Sequence, residues 1–446
     1  MTTTNNITNA LNSRISRTRT LTREQKEAVG LLSIGTFLEY FDLMLYVHMA
    51  VLLNELFFPV TNPHSASFSA ALAFSSTYLL RPFAALIFGW IGDNIGRKVT
   101  IIITTTTMAL SCVVMANVGT YAQIGITASW IVTICRILQG ISSMGEIVGA
   151  GLYLTESVKP PLRYPVVASV VVASALGGTA ALGLASLVTS YGFNWRMAFW
   201  IGAGIAVIGI IARTSLREAV DYADARRKIK KSLQKANQNI TNLKDDVIFH
   251  EKISKKVLMS YFVMESISPI HFYLNYIYCG NILKTSFSFT SEQVIHHNFI
   301  LGLVNLLNAA ILTAFCYKIH PLKILKFKLF AFVPFFVLMP YLLNIVGHSS
   351  HVLAIQCIGI FLSCTAFPAN PVIFIYFPIF KRFSAITFTF ATAKAIMYAI
   401  SSFGIMYLTK HLGNLGLLIL ILPLTTSYIF ARNYFENLEK AAGNYH

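Results

Sequence analysis

The chain has 446 residues, of which 55% are hydrophobic and only 12% are charged. A soluble domain usually carries about 25% charged residues, so this chain has too few polar groups to cover its apolar surface in water. Its formal net charge is +17, but the basic residues lie in the gaps between apolar runs and not along one helix or face. The composition therefore excludes an ordinary soluble domain, argues against a nucleic-acid partner and indicates lipid as the solvent.

The chain begins with a polar segment, 1–28, in which Arg14, Arg17, Arg19 and Arg23 lie among Ser, Thr and Asn. This composition resembles an organellar transit peptide, but a cytoplasmic basic tail explains it as well and is the interpretation we favour. No apolar stretch is followed by a cleavage site, so we expect no removable signal peptide.

The apolar runs that follow predict an all-α membrane protein with twelve transmembrane helices in two six-helix bundles. The hydrocarbon core of a bilayer requires about 20 apolar residues in a helix. Backbone groups cannot stay unpaired in lipid, so each apolar run of that length is expected to be helical. The predicted helices are 29–57, 67–90, 99–117, 128–153, 165–189, 197–212, 257–282, 294–317, 329–347, 352–379, 384–408 and 413–431.

The distribution of positive charge predicts the topology. Cytoplasmic loops are enriched in Lys and Arg, and 29 of the 32 basic residues outside the predicted helices fall on one side when both termini are placed in the cytoplasm. The longest gap between helices is a basic stretch that divides the chain and is expected to lie near anionic headgroups. The predicted units are an N-terminal tail (1–28), a first bundle (29–212), a cytoplasmic linker (213–256), a second bundle (257–431) and a C-terminal tail (432–446).

Among the charged side chains that fall inside predicted helices, seven are candidate site residues. A charge at bilayer depth costs at least about 2.5–3.5 kcal/mol unless it faces protein or water. Glu39 and Asp42 lie three residues apart in helix 1, so we expect both on one face of the helix. The set suggests a polar pathway with titratable carboxylates, in which Glu265 and Lys394 pair across helices 7 and 11; fixed ion pairs that only hold the bundle together are the alternative. The seven residues are Glu39, Asp42, Arg81, Arg136, Glu146, Glu265 and Lys394.

A short loop between helices 2 and 3 carries a recognisable motif. Gly89-Trp90-Ile91-Gly92-Asp93-Asn94-Ile95-Gly96-Arg97-Lys98 resembles the signature loop of the major facilitator superfamily, G-x-x-x-D-x-x-G-R-K. In that family the Asp holds the two halves together on the cytoplasmic side, and the contact breaks when the transporter opens inward. The resemblance thus implies gating roles for Gly89, Asp93, Gly96, Arg97 and Lys98.

Further stretches narrow the resemblance to the metabolite:proton symporters of that superfamily. Residues 38–42 (LEYFD) are similar to that family's L-E-W-Y-D, and Leu80-Arg81-Pro82 is similar to its A-R-P. Residues 139–146 resemble its Q-G-x-x-x-G-G-E, and the whole resemblance covers about 35–220. It implies proton-coupled symport of a small polar metabolite by alternating access, with coupling or binding roles for Glu39, Asp42, Arg81, Arg136 and Glu146.

The second half departs from the family pattern. The family often repeats an Asp-containing basic loop between helices 8 and 9, whereas residues 317–323 (YKIHPLK) contain no acid. Helix 10 holds Pro368, Pro371 and Pro378 around Asn370, which suggests either a broken helix that lines a cavity or a simple kink. The substrate contacts of this half are therefore left open by the sequence.

The near-neutral balance of the buried charges suits a zwitterionic osmolyte such as proline or betaine. The alternatives are an organic-acid symporter, for a dicarboxylate or an α-ketoglutarate-like solute, and a non-transporting sensor on the carrier fold. No H-E-x-x-H, G-x-S-x-G or nucleotide-binding loop is present, so we expect no enzyme and no ATP-driven pump. We further expect no cofactor and no metal, and a monomer in the inner membrane of a bacterium whose partners are the solute, protons and the bilayer.

Overall fold

The computed structural model describes residues 20–57, 78, 80–191, 194–214 and 252–445, and every regular element within these ranges is helical. The predicted all-α class is confirmed for this part of the chain. Most of the predicted linker 213–256 and the first part of predicted helix 2 lie outside the described residues. The main helices are α1 (Arg23–Phe57), α2 (Arg81–Asn94), α3 (Arg97–Asn117), α4 (Ile126–Ser157), α5 (Arg163–Tyr191), α6 (Trp195–Thr214), α7 (Lys255–Phe272, continued by Cys279–Phe287), α8 (Ser291–Phe315), α9 (Pro321–Asn344), α10 (Ser349–Leu362), α11 (Arg382–Ala399, continued by Ile405–Leu412) and α12 (Leu417–Ala441).

Three helices are irregular. π-helical turns interrupt α7 at Tyr273–Tyr278 and α11 at Ile400–Gly404. Helix α10 ends at Leu362 and is followed by the short turns Phe367–Ala369, Asn370–Ile373 and Phe374–Tyr376. Of the two alternatives for predicted helix 10, a break and a simple kink, the structure has the break. Proline withholds a backbone donor that a continuous helix needs.

Several helices are suited to a bilayer by length and composition. Seven described segments meet both criteria, and the last of them contains α11 and α12 together. Large apolar side chains also cover the outside of the molecule; Phe330, for example, is 88% exposed. An apolar exterior of this kind is expected when lipid surrounds the protein. The segments are Arg23–Leu45, Lys98–Asn117, Ile126–Ser157, Arg163–Leu187, Glu292–Phe315, Ser349–Tyr376 and Arg382–Ala441.

The helices pack as two groups that meet along two seams. In the first group α1 packs against α4, α5 and α6, and α3 packs against α4 and α6. In the second, α7 packs against α11 and α12, and α9 packs against α10 and α12. The groups meet where α5 contacts α8 and where α2 contacts α11. Close approach of α1 to α5 needs Gly177, because a Cβ there would collide with the backbone oxygen of Phe37.

Candidate functional site

A cavity of about 340 Å³ lies between the two groups of helices. Its walls are formed by residues from both groups, including α1, α2 and α5 on one side and α7, α8 and α11 on the other. Four of the seven predicted intramembrane charges line it: Glu39, Arg81, Glu265 and Lys394. The structure thus brings charges from both halves of the chain to one polar space.

The second-half charges form an ion pair. The Nζ of Lys394 lies 3.1 Å from Oε2 of Glu265, and both side chains are at most 10% exposed. Lys394 also donates to the backbone oxygen of Glu265 at 3.2 Å and to Oγ of Ser268. The pairing predicted for helices 7 and 11 is present. Removing one member of a buried pair costs about 3–5 kcal/mol, because the other charge stays buried without compensation.

Arg81 has unused hydrogen-bonding capacity in the cavity, as far as the described residues show. Its residue is 5% exposed, and its guanidinium carbon lies 4.2 Å from the centre of the Tyr78 ring. Among the described residues, its Nε and Nη2 atoms have no hydrogen-bond partner. Buried donors without partners are costly, and a guanidinium binds a carboxylate through two parallel hydrogen bonds. Arg81 therefore offers two donors to an anionic group in the cavity.

A row of aromatic rings extends through the cavity wall from Tyr78, the ring that Arg81 contacts. The rings of Tyr78 and Tyr398 lie 4.0 Å apart, and the ring of Phe272 lies 6.2 Å from that of Tyr398 and 5.0 Å from that of Tyr276. All four residues line the cavity. Because the face of an aromatic ring attracts cations, this wall can hold an ammonium or quaternary ammonium group.

Glu39 and Asp42 do not share one environment, contrary to the expectation that both lie on one face. Glu39 lines the cavity, whereas Asp42 is fully buried inside the first group, beside Cys112 of α3. A Cβ at Gly202 of α6 would collide with the Asp42 carboxylate. A spacing of three residues places the two side chains about 60° apart around the axis of α1. This angle is enough for Glu39 to face the cavity while Asp42 faces α3 and α6.

The two predicted charges of α4 are placed differently from Glu39. Arg136 is buried, with 9% of its surface exposed, and it does not belong to the described lining of the cavity. The side chain of Glu146 lies outside the described residues. Their coupling roles remain predictions.

Asp93 of α2 joins the two groups of helices at one end of the molecule by hydrogen bonds to α11. We call this contact the first clasp. Its carboxylate accepts hydrogen bonds from the backbone N–H groups of Phe383 (3.1 Å) and Ser384 (2.8 Å) and from the Ser384 hydroxyl (2.6 Å). These residues begin α11, whose own N-cap residue, Lys381, makes no side-chain capping bond. Asp93 thus accepts hydrogen bonds from the free N–H groups at the start of α11, in the other half of the molecule. Its negative charge also interacts favourably with the positive end of that helix dipole.

The glycines of the motif allow this approach. A Cβ at Gly89 would lie 2.7 Å from Cα of Ser384, and one at Gly92 would lie 2.7 Å from the Phe383 ring. Gly96 precedes α3 with a φ of 151°, a conformation that favours glycine. Lys98 is partly exposed, and the Arg97 side chain lies outside the described residues.

A second contact strengthens the same clasp and was not among the predicted site residues. Arg382 Nη1 lies 3.2 Å from Oε1 of Glu156, at the end of α4, and both side chains are at most 10% exposed. Arg382 also donates from Nε to the backbone oxygen of Phe377 at 2.9 Å. The sequence offered only faint signals: Glu156-Ser157 and Arg163 are similar to a family E-S-x-x-x-x-R stretch but lie one residue further apart, and Arg382 ends a weak F-P-x-x-x-R match.

The second half has a corresponding contact, which we call the second clasp. It is formed by His320, Tyr164, Tyr376 and Glu439. His320, in the connection between α8 and α9, lies 3.4 Å from Oε2 of Glu439 on α12, and its ring lies 5.5 Å from that of Tyr164 at the start of α5. The Tyr376 hydroxyl donates to Oε1 of Glu439 at 2.5 Å. The acid that the α8–α9 connection lacks is therefore supplied by the last helix.

Comparison with known proteins matches this architecture. The family model described as Major Facilitator Superfamily matches residues 32–431. Among solved structures, the proton:xylose symporter XylE bound to 6-bromo-6-deoxy-D-glucose has a TM-score of 0.70 at 16% identity and covers 93% of this chain and 95% of its own. The human organic anion transporter MFSD10 has a TM-score of 0.66 at 15% identity, with 93% and 100% covered. At these identities the likeness shows the fold.

Curated relatives share higher identity over shorter lengths. The inner membrane metabolite transport protein YhjE of Escherichia coli strain K12 is 33% identical over 209 residues, 44% of this chain and 47% of that protein. The proline/betaine transporter of Salmonella typhimurium is 30% identical over 201 residues, 43% of this chain and 40% of that protein. The matches thus span less than half the length of each relative.

Proposed function

Because the chain belongs to the major facilitator superfamily, as its match over residues 32–431 shows, we propose that it is a secondary active transporter that couples a small polar metabolite to protons by alternating access. Proton symport is supported by the similar fold of the proton:xylose symporter. The cavity between the two groups of helices is the proposed solute site. The substrate we propose is a zwitterionic osmolyte such as proline or betaine.

The proposed topology has twelve transmembrane helices with both termini in the cytoplasm. The clasp of Asp93 and Glu156 then lies on the cytoplasmic side, where Lys and Arg are concentrated in the connections. We propose the inner membrane of a bacterium as the location and a monomer as the transporting unit, in keeping with the inner-membrane relative. Breaking the clasp would open the cavity to the cytoplasm.

The observation that carries the proposed substrate is the chemistry around Arg81. Two guanidinium donors that have no partner within the described ranges suit a carboxylate, and the neighbouring aromatic wall suits a cationic nitrogen. Lys394 is already neutralised by Glu265, so Arg81 and Glu39 are the remaining charges among the four described here that line the cavity. These two charges balance each other, and a zwitterion keeps that balance, whereas a dicarboxylate would add two negative charges.

Glu39 and Asp42 are the proposed proton acceptors. Glu39 faces the cavity, and Asp42 is fully enclosed beside Cys112, where a carboxylate is far easier to hold in its protonated form. Protonation at these positions would remove negative charge from the first half and permit it to move against the second. Arg136 and Glu146 are proposed to complete the coupling set.

Uptake into proteoliposomes tests the proposal. We expect L-proline or glycine betaine to accumulate when the outside is more acidic, and accumulation to be lost in Glu39→Gln and Asp42→Asn. Thr36→Val is the matched control, because Thr36 is buried one turn earlier on α1 and its hydroxyl donates to the backbone oxygen of Leu32, on the same helix. Concentrative uptake by both amide variants would refute the coupling scheme, and accumulation of dicarboxylates alone would favour the organic-acid alternative. Absence of any flux together with a bound protein partner at 213–256 would favour the sensor.

A further inference from the structure

The wall that the second half contributes to the cavity contains a π-helical turn. In this turn, Tyr273–Tyr278 of α7, the N–H of Cys279 bonds to the carbonyl of Leu274, five residues earlier. Asn275 and Tyr276 belong to the turn and line the cavity. π-turns are rare and often lie at functional sites, because they widen the helix and redirect side chains.

A chain of buried side chains holds this turn from behind. Gln356 of α10 donates from Nε2 to the backbone oxygen of Asn275 at 2.5 Å. Its Oε1 lies 2.7 Å from Nε2 of His297 on α8. Because the amide oxygen can only accept, the Nε2 of His297 carries the hydrogen. Within the described part of the chain, neither Gln356 nor His297 lines the cavity, and both are buried.

The side chain of Asn275 is held by His271, in the last regular turn of α7 before the π-turn. Its Nδ2 donates to the backbone oxygen of His271 at 2.9 Å and lies 3.2 Å from Nδ1 of that residue. Its Oδ1 has no hydrogen-bond partner among the described residues. A Cβ at Gly359 of α10 would lie 3.2 Å from this oxygen, so the glycine leaves room for it. The position of Asn275 in the cavity therefore follows the position of the turn.

We infer that Gln356 and His297 are positioning residues that hold the π-turn of α7 and thereby set the second-half side of the solute site. Without the bond from Gln356, the turn can return to α-helical register. One residue of register rotates the segment Cys279–Phe287 by about 100° relative to the segment before the turn. Asn275 and Tyr276 then leave their places in the cavity. This inference rests on the proposed function, since it concerns the site at which the solute binds.

Transport kinetics give the first test. In Gln356→Met, which keeps the length but removes both hydrogen bonds, we expect the KM for L-proline or glycine betaine to rise about tenfold or more with Vmax within about twofold of wild type. His297→Leu should show the same direction, whereas His297→Gln retains a donor and should restore a KM near that of wild type. Ser401→Ala is the matched control, because it removes a buried hydrogen bond at the other π-turn, Ile400–Gly404. An unchanged KM in Gln356→Met and His297→Leu would overturn the inference.

Cys279 provides a second readout that needs no substrate. It follows the turn directly and is 0% exposed. In a variant in which all other cysteines are replaced by serine, we expect it to resist maleimide, and to react at least about fivefold faster once Gln356→Met or His297→Leu is added. If wild type takes up neither solute, the proposed substrate fails, and the labelling alone decides: faster labelling supports the positioning role, and unchanged labelling overturns it. If Gln356→Met does not reach the membrane, the KM and the labelling rate of Cys279 in His297→Leu decide in the same way.

Discussion

The two connections that close the proposed cytoplasmic end use different chemistry for the same task. In the first half, Asp93 caps the start of α11 and Glu156 pairs with Arg382 of the same helix. In the second half, the contact that the described residues show between His320 and the start of α5 is with the ring of Tyr164, and its charged partner, Glu439, comes from α12 of its own half. The first clasp is therefore held by charge across the seam, and the second by ring contact.

This difference indicates where opening is controlled. Hydrogen bonds to charged groups are worth about 1.5–3 kcal/mol each, and the first clasp has several of them across the seam. A contact between two rings contributes about 0.5–1.5 kcal/mol. At this end of the molecule the contact made by Asp93 and Glu156 should therefore contribute more to the closed form than the contact between His320 and Tyr164.

Asp93→Ala should have the largest effect, because it leaves the first N–H groups of α11 without their acceptor. Losing about 3 kcal/mol of clasp stability would favour the open form roughly 100-fold. We expect uptake to fall at least about tenfold and a cysteine introduced at Ser174 in the cavity wall to label faster from the cytoplasmic side. Wild-type uptake and labelling would show that the cap is dispensable.

The Glu156–Arg382 pair should come next. We expect Arg382→Gln and Glu156→Gln each to lower stability by about 3–5 kcal/mol, because each leaves a buried charge unpaired. The double variant should lose less stability than the two single variants lose together, because it leaves neither charge unpaired. Thermal unfolding in detergent, followed for all four forms, measures the coupling; strict additivity would mean that the pair does not act as one unit.

His320→Asp tests directly whether the second clasp can use an acid in the α8–α9 connection. The metabolite:proton symporters often have an Asp in that connection. In this structure the introduced carboxylate would face the buried Glu439. We expect a loss of stability of about 1–3 kcal/mol and relief when Glu439→Gln is added. A stabilised single variant would show that the second clasp still has room for the family's acid.

The smallest effect should follow substitution of Tyr164. Tyr164→Phe keeps the ring that contacts His320, so we expect uptake within about twofold of wild type. Tyr164→Leu removes the ring and should lower uptake by about threefold, with faster cytoplasmic labelling of the cavity. Equal behaviour of the two variants would mean that apolar bulk, and not the ring, closes this seam.

Much of the candidate site could be foreseen from residue type and spacing. Charges in apolar runs had to find polar surroundings, and Glu39, Arg81, Glu265 and Lys394 do so in one cavity. Asp42 shows the limit of this reasoning, because a spacing of three residues places two side chains near one another without fixing which of them faces the neighbouring half. The π-turn of α7 gave no signal, since its register depends on Gln356, which lies 81 residues from Asn275.

The sequence by itself determined the solvent, the helical class and the motif that joins α2 to α3, because these follow from local composition and from the needs of a backbone in lipid. Only the tertiary structure decided which helix Asp93 caps and which acid contacts His320. It also decided that, within the described residues, two donor atoms of Arg81 have no hydrogen-bond partner. Those outcomes depend on contacts between segments far apart in the chain. Hydropathy and spacing along one helix carry no information about such contacts.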